Sequence, residues 1–481
     1  MQGPVNESQR RVSDTPSSPP NQATSTKDFT DRDCSTPDGK RRPWQRHLRT
    51  FASLTAASQV EAALSFVTSV ALVRLVGVTE AGQVFFVQSM ASVWFLLWDP
   101  RFEDAQQRFV PAEQLHGPGR GTRLYHRLLR LDIVAGLLAT IVGVVVAVAA
   151  AAIGWISTEL LTLLVPAVLG VGAATVSGSA SAGFALADQL CRLGWMRLAL
   201  AAVSCLVTLT ALLTSGPVGY LAATVVTGLV STVVLTAGAC RRLREAYGPP
   251  AADPIAMPPG LLRFLVKTSA TGSVSVASDS GVSLLAGVFG GPVLVTYLKV
   301  VTSMGRLFLS FVSPVAAQLY PRLARAGAHG RRTAVMSDAL RSSALTGAIG
   351  ALAVVVAAPL TGLLLGLVYG AEYTVLSTAA VVLLAGAALR GAVIWGKVLP
   401  SALGFPGVRL AFLTAEGVCQ LGMLVGVTQL WAGPERMALA FAWGSLCLLA
   451  LSTACWFLVL RILVATMPRV SVPTAQVHKP I

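Results

Sequence analysis

From Phe51 to Leu463 the chain alternates between long apolar runs and short polar breaks. The runs approach ~20 residues, which at 1.5 Å of rise per residue crosses a ~30 Å hydrocarbon core as an α-helix. Twelve spans are predicted, at 52–75, 82–99, 131–154, 158–187, 194–215, 217–238, 264–289, 293–318, 341–368, 374–396, 408–431 and 437–463. In lipid each backbone polar group has to be satisfied internally, so the prediction is an all-α integral membrane protein. Outside the N-terminal tail the longest breaks, 100–130 and 239–263, are too short for a soluble domain.

The same pattern divides the chain. Residues 1–48 are rich in Ser, Thr, Pro and charge, which is the composition of a disordered tail. They contain no apolar stretch like that of a signal peptide, so a cytoplasmic tail is expected rather than a cleaved leader. A six-helix lobe follows at 49–239, then a linker at 240–262, a second six-helix lobe at 263–465 and a tail at 466–481. The stretch 240–263 is basic and carries five prolines. The halves are weakly alike. Residues 71–77 (ALVRLVG) lead to an aromatic run ending in Ser89-Met90, and residues 284–290 (LLAGVFG) lead to one ending in Ser303-Met304. Two pseudo-symmetric lobes are the plan of many transporters.

Composition sharpens this. Of 481 residues, 54% are apolar and 12% charged, against roughly 25% charged in a soluble domain. The mean hydropathy is +0.67. The net charge of +15 sits in clusters between apolar runs, which argues against nucleic-acid binding. With the N-terminus inside, 33 of the 37 Lys and Arg residues fall in cytoplasmic tails and loops. This is the positive-inside bias, and it places both termini in the cytoplasm of a multi-pass protein. None of the seven cysteines forms a CxxC pair, and none of the five histidines has metal-ligand spacing. No P-loop is present. Neither a metal nor another cofactor is expected, and neither is enzyme chemistry.

Charges inside the spans are the candidate functional groups, because each is costly in lipid and tends to face water or a partner. Glu61 lies in the first span, Asp279 in the seventh, Lys299 and Arg306 in the eighth, and Glu416 in the eleventh. Lys299 and Arg306 are seven residues apart and share one helix face. They would suit a phosphate-bearing head group, or would pair with Asp279. Glu61 and Glu416 are ion-coupling candidates, since a carboxylate in a water-poor cavity can load and release a proton. The other role for Glu61 is hydrogen bonding to Ser58, Ser65 or a neighbouring helix. Arg74 ends the first span, where it either snorkels or contacts lipid phosphate. Gly172, Ser177, Gly178, Ser179 and Gly183 mark close helix packing.

The first two spans read Arg74-Leu75-Val76-Gly77, Glu80, Gly82, Phe85-Phe86, then Asp99 and Arg108. The seventh and eighth add Asp279, Gly290, Tyr297, Pro314 and Leu319-Tyr320-Pro321, and Tyr369-Gly370-Ala371-Glu372-Tyr373 forms a later turn. Together these resemble the polysaccharide and O-antigen flippases of the multidrug/oligosaccharidyl-lipid/polysaccharide exporter superfamily, over roughly residues 50–465. The resemblance implies transport of a polyprenyl-diphosphate-linked oligosaccharide across the cytoplasmic (inner) membrane for cell-surface polysaccharide biosynthesis. Lys299, Arg306, Arg74 and Asp279 would contact the substrate, and Glu61 and Glu416 would couple an ion. Glycosyltransferases or a polymerase of the same pathway would be partners. The alternatives are a cation-coupled multidrug exporter of the same superfamily and a membrane glycan polymerase or ligase.

Overall fold

The computed structural model describes residues 43–403 and 405–466. Thirteen α-helices cover most of them: α1 (Pro43–Val76), α2 (Val78–Leu96), α3 (Phe102–Gln114), α4 (Arg120–Ala152), α5 (Thr158–Ala174), α6 (Ser177–Leu186), α7 (Leu190–Tyr247), α8 (Leu261–Ala328), α9 (Arg332–Val368), α10 (Ser377–Ala392), α11 (Leu399–Ala402), α12 (Pro406–Leu430) and α13 (Pro434–Thr466). Two 3-10 turns, Ala371–Leu376 and Ile394–Lys397, flank α10.

Among the described residues, nine helical segments are long and apolar enough to cross a membrane. Two of these double back. Gly216 in α7 has φ 62° and ψ −151°, and Gly291 in α8 has φ 80° and ψ 174°. Only glycine adopts such angles without strain. Each is followed by a proline, Pro217 or Pro292, whose fixed φ suits the first position of the returning helix. With α7 and α8 counted as two spans each, and with α2 added, the total is twelve. The molecule is an all-α, multi-pass membrane protein.

The boundaries shift in two places. Helix α1 begins at Pro43, so it reaches into the segment expected to be tail; the rest of that tail, and residues 467–481, lie outside the described residues. The linker is shorter than expected, because α7 runs to Tyr247 and α8 starts at Leu261.

Two ends of the bundle behave differently. Near Gly77, Gly291 and Gly370 one apolar cluster joins both lobes, including Leu72, Val84 and Phe85 with Leu294, Val301 and Tyr373. Towards the linker the cores separate. One cluster, around Phe102, Tyr125 and Leu243, serves the N-terminal lobe and takes in Leu261 and Leu265 of α8. Others, around Trp395 and Phe308, serve the C-terminal lobe. At this end the lobes touch at narrower points. Gln59 Nε2 donates to the Ser310 carbonyl at 2.8 Å, and Phe109 stacks edge-on to Phe264 at 5.6 Å.

Candidate functional site

Helix α8 carries the central charges. Lys299 is eight residues past the Gly291 bend, Asp279 twelve before it and Arg306 fifteen after it. At 1.5 Å per residue they lie about 12, 18 and 22 Å from that end. Lys299 is half-buried, and its Nζ sits 5.7 Å from the centroid of the Phe85 ring on α2, a cation–π contact between the lobes. Asp279 and Arg306 are exposed, and both lie near enough to Lys299 to act on it electrostatically. Among the described residues no ion pair joins Asp279 to either cation.

Above these charges the lobes meet along α2 and the second half of α8. Thr296 Oγ1 donates to the Val78 carbonyl at 2.7 Å. A Cβ at Gly82 would stand 2.0 Å from the Pro292 carbonyl oxygen, so only glycine permits this approach. Arg74 neither floats free nor reaches the α8 charges. Its Nη1 donates to the Leu367 carbonyl at 2.9 Å, tying α1 to the end of α9. The Tyr369–Tyr373 motif builds the same seam. Tyr373 is fully buried and meets Tyr297 edge-on at 6.1 Å, and Tyr369 meets Phe66 of α1 at 6.3 Å.

Glu61 stands apart. It lines a cavity of about 370 Å³ inside the N-terminal lobe with Ser65, Thr68, Arg197, Ser204 and Thr208. Among the described residues it accepts no hydrogen bond from Ser58 or Ser65. Arg197 of this cavity donates to Ser181 Oγ of α6 at 2.7 Å. Glu416 is already engaged. It forms a close ion pair with Arg390 of α10, and its second oxygen accepts from Ser452 Oγ of α13 at 3.0 Å. The structure therefore brings Lys299, Arg306 and Asp279 together, and places Glu61, Arg74 and Glu416 in three other settings.

The structure also holds a buried polar cluster that the apolar pattern hid. Ser179 of α6 donates to Asp132 of α4 and accepts from Gln106 Nε2 of α3 at 3.0 Å. Tyr125 donates to the Ser179 carbonyl at 3.0 Å. Close packing on the small residues accompanies it: a Cβ at Gly183 would lie 2.6 Å from the Tyr125 hydroxyl, and one at Gly178 would lie 3.2 Å from the Glu103 carboxyl. On α3 itself, burial pushes the Glu103 carboxyl above the usual carboxylate range, with Asp99 and Asp104 adding to the effect and Arg101 opposing it.

No protein-family model matches the sequence, and no curated protein matches it. Solved structures do match. A MOP superfamily transporter from Pyrococcus furiosus with reverse polarity of its binding pocket superposes with a TM-score of 0.64 at 14% identity, over 87% of this chain and 95% of that one. A Vibrio cholerae MATE transporter gives 0.64 at 12%, over 88% and 98%. An inward-facing multidrug resistance MATE family transporter of the MOP superfamily gives 0.62 at 12%, over 85% and 96%. The chain has the fold of these transporters.

Proposed function

We propose that the chain is a membrane transporter that flips a polyprenyl-diphosphate-linked oligosaccharide from the inner to the outer face of the cytoplasmic membrane. The observation that carries this reading is the pair Lys299 and Arg306. Two cations share one face of α8 within the bundle, and among the described residues neither forms an ion pair with Asp279. A diphosphate supplies the missing countercharge. The Arg306 guanidinium can fork two phosphate oxygens, and the Lys299 ammonium acts as a point charge. On the orientation that the basic residues favour, the sealed Gly77 end faces outward and the separated cores face the cytoplasm. The substrate head would then enter from the inside while its lipid tail stays in the bilayer. The lobes would rock to open the other end. Glycosyltransferases or a polymerase of the same pathway would supply and use the lipid-linked sugar.

One observation favours a second reading, a cation-coupled multidrug exporter. Glu61 lines a polar cavity in the N-terminal lobe, and a structure of similar fold is a multidrug transporter. Proteoliposome assays separate the two. The flippase reading expects movement of a fluorescent polyprenyl-diphosphate oligosaccharide, reduced in Lys299→Gln and Arg306→Gln at unchanged protein abundance. Efflux of a lipophilic cation that depends on Glu61, with no movement of the lipid-linked sugar, overturns it in favour of the exporter.

A further inference from the structure

Helices α12 and α13 are joined by only Trp431, Ala432 and Gly433, so they run antiparallel as neighbours. The faces they turn to each other follow helical spacing: Met423, Gly426, Val427 and Leu430 on α12, and Arg436, Leu439, Ala440 and Trp443 on α13. Neighbours joined this closely can pack along their whole length. These two close at one level, where Gly444 lies so near Met423 that a Cβ would stand 2.3 Å from its Sδ. Towards the connection they part, because Gly426 and Ala440 bring almost no side chain to the seam. A Cβ at Gly426 would meet nothing within 4 Å. The result is a cleft of about 640 Å³, apolar on every side but one. From Met423 to Leu430 it runs about 10 Å along the bundle at 1.5 Å per residue.

The exception is Arg436 at the mouth. Trp431, which lines the same mouth, and Trp155 of the α4–α5 connection are both exposed. Tryptophans so placed mark the level of the lipid head groups. Arg436 is exposed as well, and among the described residues it has no ion pair. Its neighbour Glu435 projects from a different side of α13, since adjacent residues of a helix do not face each other. The cation is also out of keeping with the charge pattern. Of the 37 Lys and Arg residues, 33 fall in segments assigned to the opposite face, and Arg74, the other cation at this end, is engaged with the Leu367 carbonyl.

A hydrocarbon cleft that opens at head-group level beside one unpaired cation has the chemistry of a lipid site. One cation balances one negative charge, which is what a phosphodiester with an uncharged head carries. A diphosphate carries more than Arg436 can neutralise. We propose that the α12–α13 cleft binds an anionic phospholipid of the leaflet at the Gly77 end, with an acyl chain laid over Gly426 and the phosphate forked by Arg436. The bound chain bridges α12 and α13. This site is separate from the α8 charges and stands whatever those charges bind.

The test uses the full chain in a detergent with an uncharged head group. Phosphatidylglycerol or phosphatidylcholine with the same acyl chains is added, and retained lipid is counted by native mass spectrometry. Wild type should retain one phosphatidylglycerol in preference to phosphatidylcholine. Arg436→Gln should weaken retention of phosphatidylglycerol about five- to a hundredfold, the range from a surface cation to a charge-assisted contact, and leave phosphatidylcholine unchanged. Arg436→Lys should keep the preference. Gly426→Leu should displace the chain and reduce retention of both lipids. Its side chain enters the cleft and not a packed neighbour, so melting without added lipid should match wild type. Ala440→Leu fills the cleft from the facing helix and checks the same point independently. Equal retention of the two lipids by wild type overturns the proposal, and so does full retention in Arg436→Gln or in both cleft-filling variants. Retention of a polyprenyl monophosphate but not of phosphatidylglycerol also overturns it, and makes the cleft a seat for isoprenoid chains.

Discussion

At the scale of single residues, the intramembrane charges divide by whether the fold has given them partners. Glu416 has two, Arg390 and Ser452, and its side chain is only 10% exposed. That arrangement fastens α10, α12 and α13 together. Glu416→Gln is therefore expected to lower the apparent melting temperature of the solubilised protein, through loss of about 1–3 kcal/mol from a charge-assisted pair. Transport per folded molecule, and its pH dependence, should be retained. Abolished pH dependence at unchanged melting temperature would instead make Glu416 a coupling group. The sequence makes each such charge visible, because a carboxylate amid apolar residues stands out. It does not show Arg390, which is 26 residues away and reaches Glu416 only through the pairing of separate helices. Lys299 illustrates the reverse: an Asp in the preceding helix suggested a neutral pair, yet the fold sets Lys299 against Phe85 and leaves Asp279 exposed.

At the scale of elements, the spans were legible because a twenty-residue apolar run has few other uses, and the predicted breaks at 216 and 290–292 fall where the structure turns at Gly216-Pro217 and Gly291-Pro292. Helix α3 was not legible. Its buried positions Phe102, Ala105, Gln106 and Val110 follow helical spacing, but they lie among Arg101, Glu103, Asp104 and Arg108, so the segment has the composition of a loop. Its anchoring is polar as well as apolar, since Gln106 reaches Ser179, and Ser179 in turn serves Asp132. Ser179→Ala removes one group that donates to Asp132 and accepts from Gln106. The expected cost is about 1–3 kcal/mol, because a buried acceptor and a buried donor both lose their partner. Limited proteolysis should then cut near Phe102–Gln114 faster than in wild type while the rest of the bundle stays intact. Unchanged cleavage would show that the apolar face alone holds α3.

At the scale of the whole molecule, orientation and conformation are linked. The loop from Gly248 to Gly260 is laid along α4 instead of hanging free: Arg123 and Arg127 donate to the carbonyls of Ala251, Ala252 and Ile255, and Gly119 accepts from the Ala251 N–H while its own N–H donates to the Tyr247 carbonyl. Arg123 and Arg127 at this end serve as structural donors. A membrane-impermeant thiol reagent added outside intact cells should label a cysteine placed at exposed Ala432 and spare one at exposed His116, in a chain freed of its other cysteines; the opposite pattern would invert the orientation. On the proposed orientation and transport cycle the Gly77 end would be the outer gate; Arg74 to Leu367 and Thr296 to Val78 are hydrogen bonds that cross between the lobes there. Each such bond contributes about 0.5–1.5 kcal/mol net, so removing both with Arg74→Gln and Thr296→Val should shift the two-state balance towards outward opening by on the order of five- to a hundredfold. Neither change adds bulk or buries a charge, so the bundle should still fold. Spin labels at Leu75 and Leu367, both exposed at that end, read the result directly. The double variant should gain a population at longer label separation, and a substrate that binds the inward form should reduce that population again. An unchanged distance distribution would mean that the shared apolar core and the Gly82–Pro292 contact hold the gate without help from these hydrogen bonds.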